Sequence, residues 1–350
     1  MRKWLQIVGS PKLALVGMVW LGIGAGLSYG NPMDVSIWVL VAPLAFMAVT
    51  LLCAIFGYPR IHRQTGLLVF HVGLLAIVVL AALGRLTFFE ARVEMLEGNL
   101  FNAQDLLDVR QGRWHRGKLS EVEFVQGPYR VEYSAGLVRG RTFNDVAVRN
   151  RVGEWETRVI GDDRVLVMDG YRFYTSFNKG YAPLLTWQPD GGSEPVSGAV
   201  HMPSYPMFAH KQDQIWQPPQ GPALKLWLRL ETDLQEDQAW VLNGQPVRSV
   251  LVVTEADKRH ELLPGQAIAV AGGSVRYEKL LTWMGYKIFY DPTLHWMFAA
   301  SVLSVAGLGW HFWRRFGDLR AAALASTPIP AQVGSEAAWP TKPVPVRGGS

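Results

Sequence analysis

Four stretches of this chain are apolar over lengths that suit a lipid bilayer better than water. A bilayer's hydrocarbon core is about 30 Å thick and a helix rises about 1.5 Å per residue, so one span needs roughly 20 mostly apolar residues. Residues 13–29, 35–57, 67–86 and 293–313 predict four such helices. The first is rich in glycine, with Gly17, Gly22, Gly24 and Gly26, which allows close helix approach in lipid. Pro43 alone interrupts the second, and neighbouring helices accommodate it. Asp291-Pro292 opens the last as a helix start, and Trp310, Trp313, Arg314 and Arg315 close it as interface anchors. A cleaved signal peptide is the alternative for the first stretch; its length, and a second span almost directly after it, favour an uncleaved helix.

Charge orients these helices. The net charge is +5, but between Glu90 and Asp291 there are 23 Lys/Arg and 26 Asp/Glu, a balance of −3. The basic excess therefore flanks the apolar stretches, in Arg2, Lys3, Lys12, Arg60, Arg63, Arg314, Arg315 and Arg320. That distribution marks membrane topology and excludes a nucleic-acid footprint. Placing the three basic stretches on the cytoplasmic side makes residues 1–12 and 314–350 cytoplasmic. Residues 87–292 then form an extracytoplasmic domain.

From Arg130 onward this domain alternates with period two and is rich in β-branched and aromatic residues, as in 164–168, 171–177, 224–230, 249–253 and 274–281. Turn pairs such as Asp169-Gly170, Asp190-Gly191, Asn243-Gly244 and Gly272-Gly273 separate the runs. The fold class expected is thus an integral membrane α-helical anchor of four spans carrying a β-rich, antiparallel, sandwich-like extracytoplasmic domain. The Pro-rich stretch 201–222 reads as a long surface excursion. Residues 170–174 and 285–290 echo each other, either as two amphipathic strands or as a diverged repeat. The tail from Ala321, rich in Ala, Pro and Ser, reads as disordered.

Cys53 is the only cysteine and lies inside an apolar stretch, which excludes an intrachain disulfide, a Cys-x-x-Cys redox pair and a Cys-x-x-Cys-His haem attachment site. There is no nucleotide-binding glycine loop, His-Glu-x-x-His or nucleophile elbow. The ionisable groups in the apolar stretches are therefore the best clues to chemistry. His71, between Phe70 and Val72, stands about one turn inside the third stretch; an imidazole there suits a helix–helix hydrogen bond, a cofactor ligand or a proton path. His295 and His311 are sixteen residues apart, roughly 24 Å on a straight helix, and cannot share one iron. His311 falls in the same leaflet as His71. Arg85, at the outer end of the third stretch, reads as a snorkelling anchor or as a partner for a haem propionate.

Gly66-Leu-Leu-Val-Phe-His71-Val-Gly-Leu-Leu75, the stretch from Glu90 to Glu97-Gly98-Asn99, and Asp291-Pro292 before the last helix resemble the ResB/CcsB-type subunit of the cytochrome c synthesis (haem-lyase) system. Three spans, a large external β-rich domain and a final span match that family over nearly the whole chain. Thr293 departs from the pattern, standing where the family often has Gly. The resemblance implies a bacterial inner-membrane, multi-pass, accessory subunit in cytochrome c biogenesis. It implies haem b as cargo, His71 as an axial haem ligand, a ResC/CcsA-type partner supplying the second ligand, and an apocytochrome c as substrate. His311 and Arg85 stand as further candidates for contact with the haem. The competing expectation is a membrane-tethered extracytoplasmic binding or assembly module without haem.

Overall fold

The computed structural model describes residues 2–30, 34–149, 153–192, 194–231, 234–244 and 247–326. Its helices are α1 (Arg2–Val8), α2 (Pro11–Gly30), α3 (Trp38–Gly57), α4 (Pro59–Arg63), α5 (Thr65–Thr87) and α6 (Leu294–Ser326). Three segments are long and apolar enough to cross a membrane: α1 with α2, then α3, then α5. The expected fourth span does not reach that apolarity, because His295, Ser301, Ser304 and His311 interrupt α6. Nor does α6 stop at Trp313; it continues to Ser326, so the first residues of the expected disordered tail are helical, and residues 327–350 lie outside the described residues.

The helices meet through residues with little or no side chain. A Cβ at Gly66 would lie 2.7 Å from the His311 amide nitrogen, one at Gly73 would lie 3.0 Å from the Ala300 carbonyl, and one at Gly84 would lie 2.8 Å from Thr293 Oγ1. From the other side, a Cβ at Gly307 would lie 2.7 Å from the Phe70 amide. α6 therefore runs antiparallel along the whole length of α5, backbone nearly against backbone. Its large apolar residues, Phe298, Val305, Trp310 and Trp313 among them, are left exposed.

The strands are β1 (Phe89–Leu96), β2 (Leu107–Gln111), β3 (Phe124–Ser134), β4 (Val138–Arg149) and β5 (Trp155–Gly161). Next come β6 (Leu166–Met168), β7 (Tyr171–Pro189), β8 (Val196–Ala199), β9 (Asp213–Trp216) and β10 (Leu224–Leu230). The last are β11 (Trp240–Asn243), β12 (Ser249–Glu255), β13 (Lys258–Leu262), β14 (Ala267–Val270) and β15 (Gly273–Tyr290). They form one seven-stranded sheet, ordered β2-β1-β15-β7-β6 with β14 on β15 and β8 on β7, and two four-stranded sheets, β13-β12-β10-β9 and β11-β3-β4-β5. Neighbouring strands are antiparallel throughout the described residues. All three sheets feed one core that includes Phe124, Tyr129, Phe173, Trp187, Leu226 and Leu251.

The two echoing segments turn out to be neighbours. Tyr171 pairs with Tyr290, Phe173 with Ile288 and Tyr174 with Lys287, so their likeness is that of two adjacent strands sharing one buried face. The Pro-rich stretch is more anchored than a surface excursion. It buries Met202 and Tyr205, and it supplies β9 as an edge strand on β10. At Asp169 (φ 48°) and Gly170 (φ 84°) the backbone is left-handed twice in succession, which closes the two-residue hairpin between β6 and β7.

Bundle and domain join through paired strands. β1 leaves α5, β15 enters α6, and Phe89 lies opposite Tyr290 where both cross the boundary. Thr293 donates to Asp291 Oδ1 from its amide (2.8 Å) and its hydroxyl (2.7 Å), which secures the first turn of α6; the residue that departs from the family pattern thus gains a local partner. His115 bridges the same boundary. Its Nδ1 donates to the Thr87 carbonyl at 3.0 Å and its Nε2 accepts from the Tyr171 hydroxyl at 2.8 Å.

Candidate functional site

His71 sits six residues into α5, roughly 9 Å from its start. Its Nδ1 lies 2.8 Å from the Leu67 carbonyl, one turn back. A carbonyl oxygen can only accept, so Nδ1 carries the hydrogen and the neutral ring keeps its lone pair on Nε2. No group on another helix bonds the ring, so the helix–helix hydrogen bond expected as one reading is not formed among the described residues. A backbone bond at one nitrogen orients and polarises the other, the arrangement by which proteins prepare a histidine to ligate a metal.

His71 lines a cleft of about 480 Å³ enclosed by the α1–α2 corner and by α2, α3, α4 and α5. Most of the lining is apolar: Met18, Met47, Leu51, Ala54, Leu74 and Val78. The polar exceptions besides His71 are Thr50, Tyr58 and Arg60. Thr50 turns its hydroxyl back to the Met47 carbonyl at 2.8 Å, and the Tyr58 hydroxyl donates to the Gln6 carbonyl at 3.1 Å. Gln6 Nε2 in turn donates to the Gly57 carbonyl, which pins α1 over the end of α3 and closes that side of the cleft. Of Phe70, Val72 and Leu74, the apolar residues flanking His71, only Leu74 faces the cleft. Phe70 lies against Gly307 on α6, with its ring edge-on to the imidazole, and Val72 is exposed.

The other candidates from the sequence lie elsewhere. His311 lines a separate basic vestibule of about 350 Å³ with Arg60, Gln64, Trp310, Arg314 and Arg315. Among the described residues, His71 is the only histidine lining its own cleft. Arg85 is fourteen residues along α5 from His71, roughly 21 Å away. It stacks on Phe88 with its guanidinium carbon 4.9 Å from the ring centroid, its Nε is buried without a hydrogen-bond partner among the described residues, and it shares a cavity with Arg110. Arg85 and His71 line different cavities. His295 is exposed.

Three arrangements escaped sequence reading because their partners are distant in the chain. The first is the His115 bridge. The second is His201, whose Nδ1 pairs with Glu94 at 2.9 Å while its ring stacks on Trp283 at 5.2 Å between centroids. The third is Lys179, buried with no carboxylate within ion-pair distance among the described residues. Burial, helped by Arg139 and opposed by Asp162, lowers its pKa to about 8. Arg60 was visible in the sequence, but as a topology marker only.

A family model described as the ResB-like family matches residues 55–316, which takes in α5, the strand domain and α6 as far as Phe316. Among solved structures, the cytochrome c heme lyase CcmF is similar at 12% identity and a TM-score of 0.28. That alignment covers 87% of this chain and only 35% of the other, and at such a score it supports no conclusion about fold or chemistry. No curated protein matches the chain significantly.

Proposed function

This chain belongs to the ResB-like family, and from that premise we propose that it serves cytochrome c biogenesis as a membrane subunit of a haem export and attachment complex. Haem is the cargo, and His71 offers it an axial ligand inside the bundle. The observation that carries this reading is the imidazole itself. Nδ1 is committed to the Leu67 carbonyl, and Nε2 has no hydrogen-bond partner among the described residues in an apolar cleft. Haem iron supplies the Lewis acid that takes such a lone pair, and the cleft's apolar side chains suit the macrocycle. The second axial ligand comes from a ResC/CcsA-type partner, and thioether formation on the apocytochrome c occurs at that partner's outer site.

α6 is proposed as the fourth span. It lies along α5 from Thr293 to His311, and its large apolar residues face away from the bundle, where lipid would cover them. With four spans the basic stretches share the cytoplasmic face, and residues 87–292 lie outside as a scaffold for the apoprotein. A reporter enzyme active only outside the cytoplasm, fused after Arg149, is expected to be active; silence there reverses the topology.

The functional test is the absorbance of the detergent-purified chain co-expressed with its membrane partner. A Soret band is expected. Its absence from every preparation would leave the chain as a binding or assembly module without haem.

A further inference from the structure

Haem is an amphiphile, with an iron at the centre of an apolar ring and two carboxylates on one edge. A site for it needs a ligand for the metal, an apolar wall and a cation at one end. The His71 cleft has the first two, and its lining also includes Arg60, on α4, the short helix that precedes α5. Arg60 is the residue that the cleft and the basic vestibule have in common. Arg314 and Arg315 line the vestibule with it, and among the described residues no carboxylate lines either cavity.

Resting on the reading of His71 as a haem ligand, we propose that Arg60 binds a haem propionate at the mouth of the cleft and so selects the diacid porphyrin from the cytoplasmic face. Three lines of physical reasoning support this. Arg60 makes no ion pair among the described residues, so its guanidinium is free to take a new anion. A guanidinium meets a carboxylate through two parallel N–H···O bonds, a geometry an ammonium cannot reproduce. The vestibule gathers three guanidinium groups with no carboxylate in its lining among the described residues, and such a field raises the local concentration of a dianion before it enters. Arg85, by contrast, belongs to the opposite end of α5, about 21 Å from His71, and takes no part.

The bland alternative is that Arg60 merely marks the cytoplasmic side and is solvated or paired with lipid phosphate. The two readings separate in a Soret titration of the full-length chain in neutral detergent. The probes are ferric protoporphyrin IX and its dimethyl ester, which has the same ring and iron but no carboxylates. A charge-assisted bidentate contact predicts that wild type binds the diacid roughly tenfold or more tighter than the ester. Arg60→Gln is expected to lose that preference while the Soret position, set by His71, stays unchanged. Arg60→Lys, which keeps the charge and serves as a folding control, is expected to retain part of it. An Arg60→Gln protein that keeps the full preference with His71 ligation intact overturns this inference alone. So does a variant whose only defect is weaker retention of phosphatidylglycerol. A wild-type chain that binds neither porphyrin overturns this inference and the His71 reading together.

Discussion

Where α5 meets α6, the contact is built from Gly66, Gly73, Gly84, Ala300, Ser304 and Gly307, residues with almost no side chain. The interior of the strand domain is built instead from Trp187, Tyr129, Tyr171, Tyr277 and Phe124, among the largest side chains in the chain. On the proposal that α6 is a fourth span, the difference follows from the solvent each region faces. In water, removing large apolar surface drives association, at about 25 cal/mol per Å². In lipid that drive is absent, because the tails are as apolar as the side chains, and helices associate by bringing their backbones close. One chain thus uses opposite residue classes for the same purpose on the two sides of Phe89 and Tyr290.

Truncating a large side chain in the domain should have the greatest effect. Trp187 is 1% exposed, and Trp187→Ala is expected to cost about 4 kcal/mol. Near-UV circular dichroism under denaturant should show the domain melting earlier while the helical far-UV signal persists. Loss of both signals in one step would break the contrast between the regions. Enlarging a small residue in the bundle is the mirror experiment. Gly73→Leu is expected to cost about 3 kcal/mol by forcing α5 from α6. Gly22, with nothing within 4 Å of a Cβ, should accept the same change without loss in a thermal melt in detergent.

Lys179 is a basic group buried in the strand domain. Its folded-state pKa is about 8, against 10.5 for the unfolded chain, so between those values the unfolded state binds more protons. Because the unfolded state is first to lose the protons of tyrosines whose pKa burial raises, such as Tyr129, Tyr181 and Tyr286, as the pH nears 10, the rise in domain stability due to Lys179 is expected between about pH 8 and pH 9. Lys179→Met should flatten that slope and stabilise the domain by about 2 kcal/mol at neutral pH. A wild-type profile that falls over this range would contradict the assignment.

The smallest loss is expected at Tyr286. Its hydroxyl donates to Gln126 Oε1 at 2.5 Å and accepts from Asn144 Nδ2, while Gln126 Nε2 donates to Asn144 Oδ1 at 2.7 Å. Tyr286→Phe removes one member of this buried network and should cost about 1 kcal/mol in a denaturant titration.

Much of the architecture was legible because it repeats along the chain. Apolar runs announce spans, and alternation announces strands such as Leu224–Leu230 and Ser249–Glu255, where the expected and observed limits nearly coincide. What escaped depends on convergence. α6 is placed by its glycine seam with α5, a set of contacts that its own moderate hydropathy does not announce. The echo at 170–174 and 285–290 was visible, yet only the register shows that the two segments pair with each other.

The site divides in the same way. His71 stood out as an ionisable group in an apolar run, a purely local signal. Its cleft did not, because five elements contribute to it, and Phe70 and Val72 adjoin His71 in sequence while facing elsewhere. Arg60 carried the signal of a topology marker until the fold placed it beside both cavities.

Whether His71 presents Nε2 to haem iron is read from the haem spectrum of His71→Gly co-expressed with the ResC/CcsA-type partner. The wild-type Soret band is expected to be lost or shifted in this variant and restored when free imidazole occupies the space left by the side chain. A wild-type spectrum in His71→Gly without imidazole would contradict it, and would place the iron's ligands wholly in the partner.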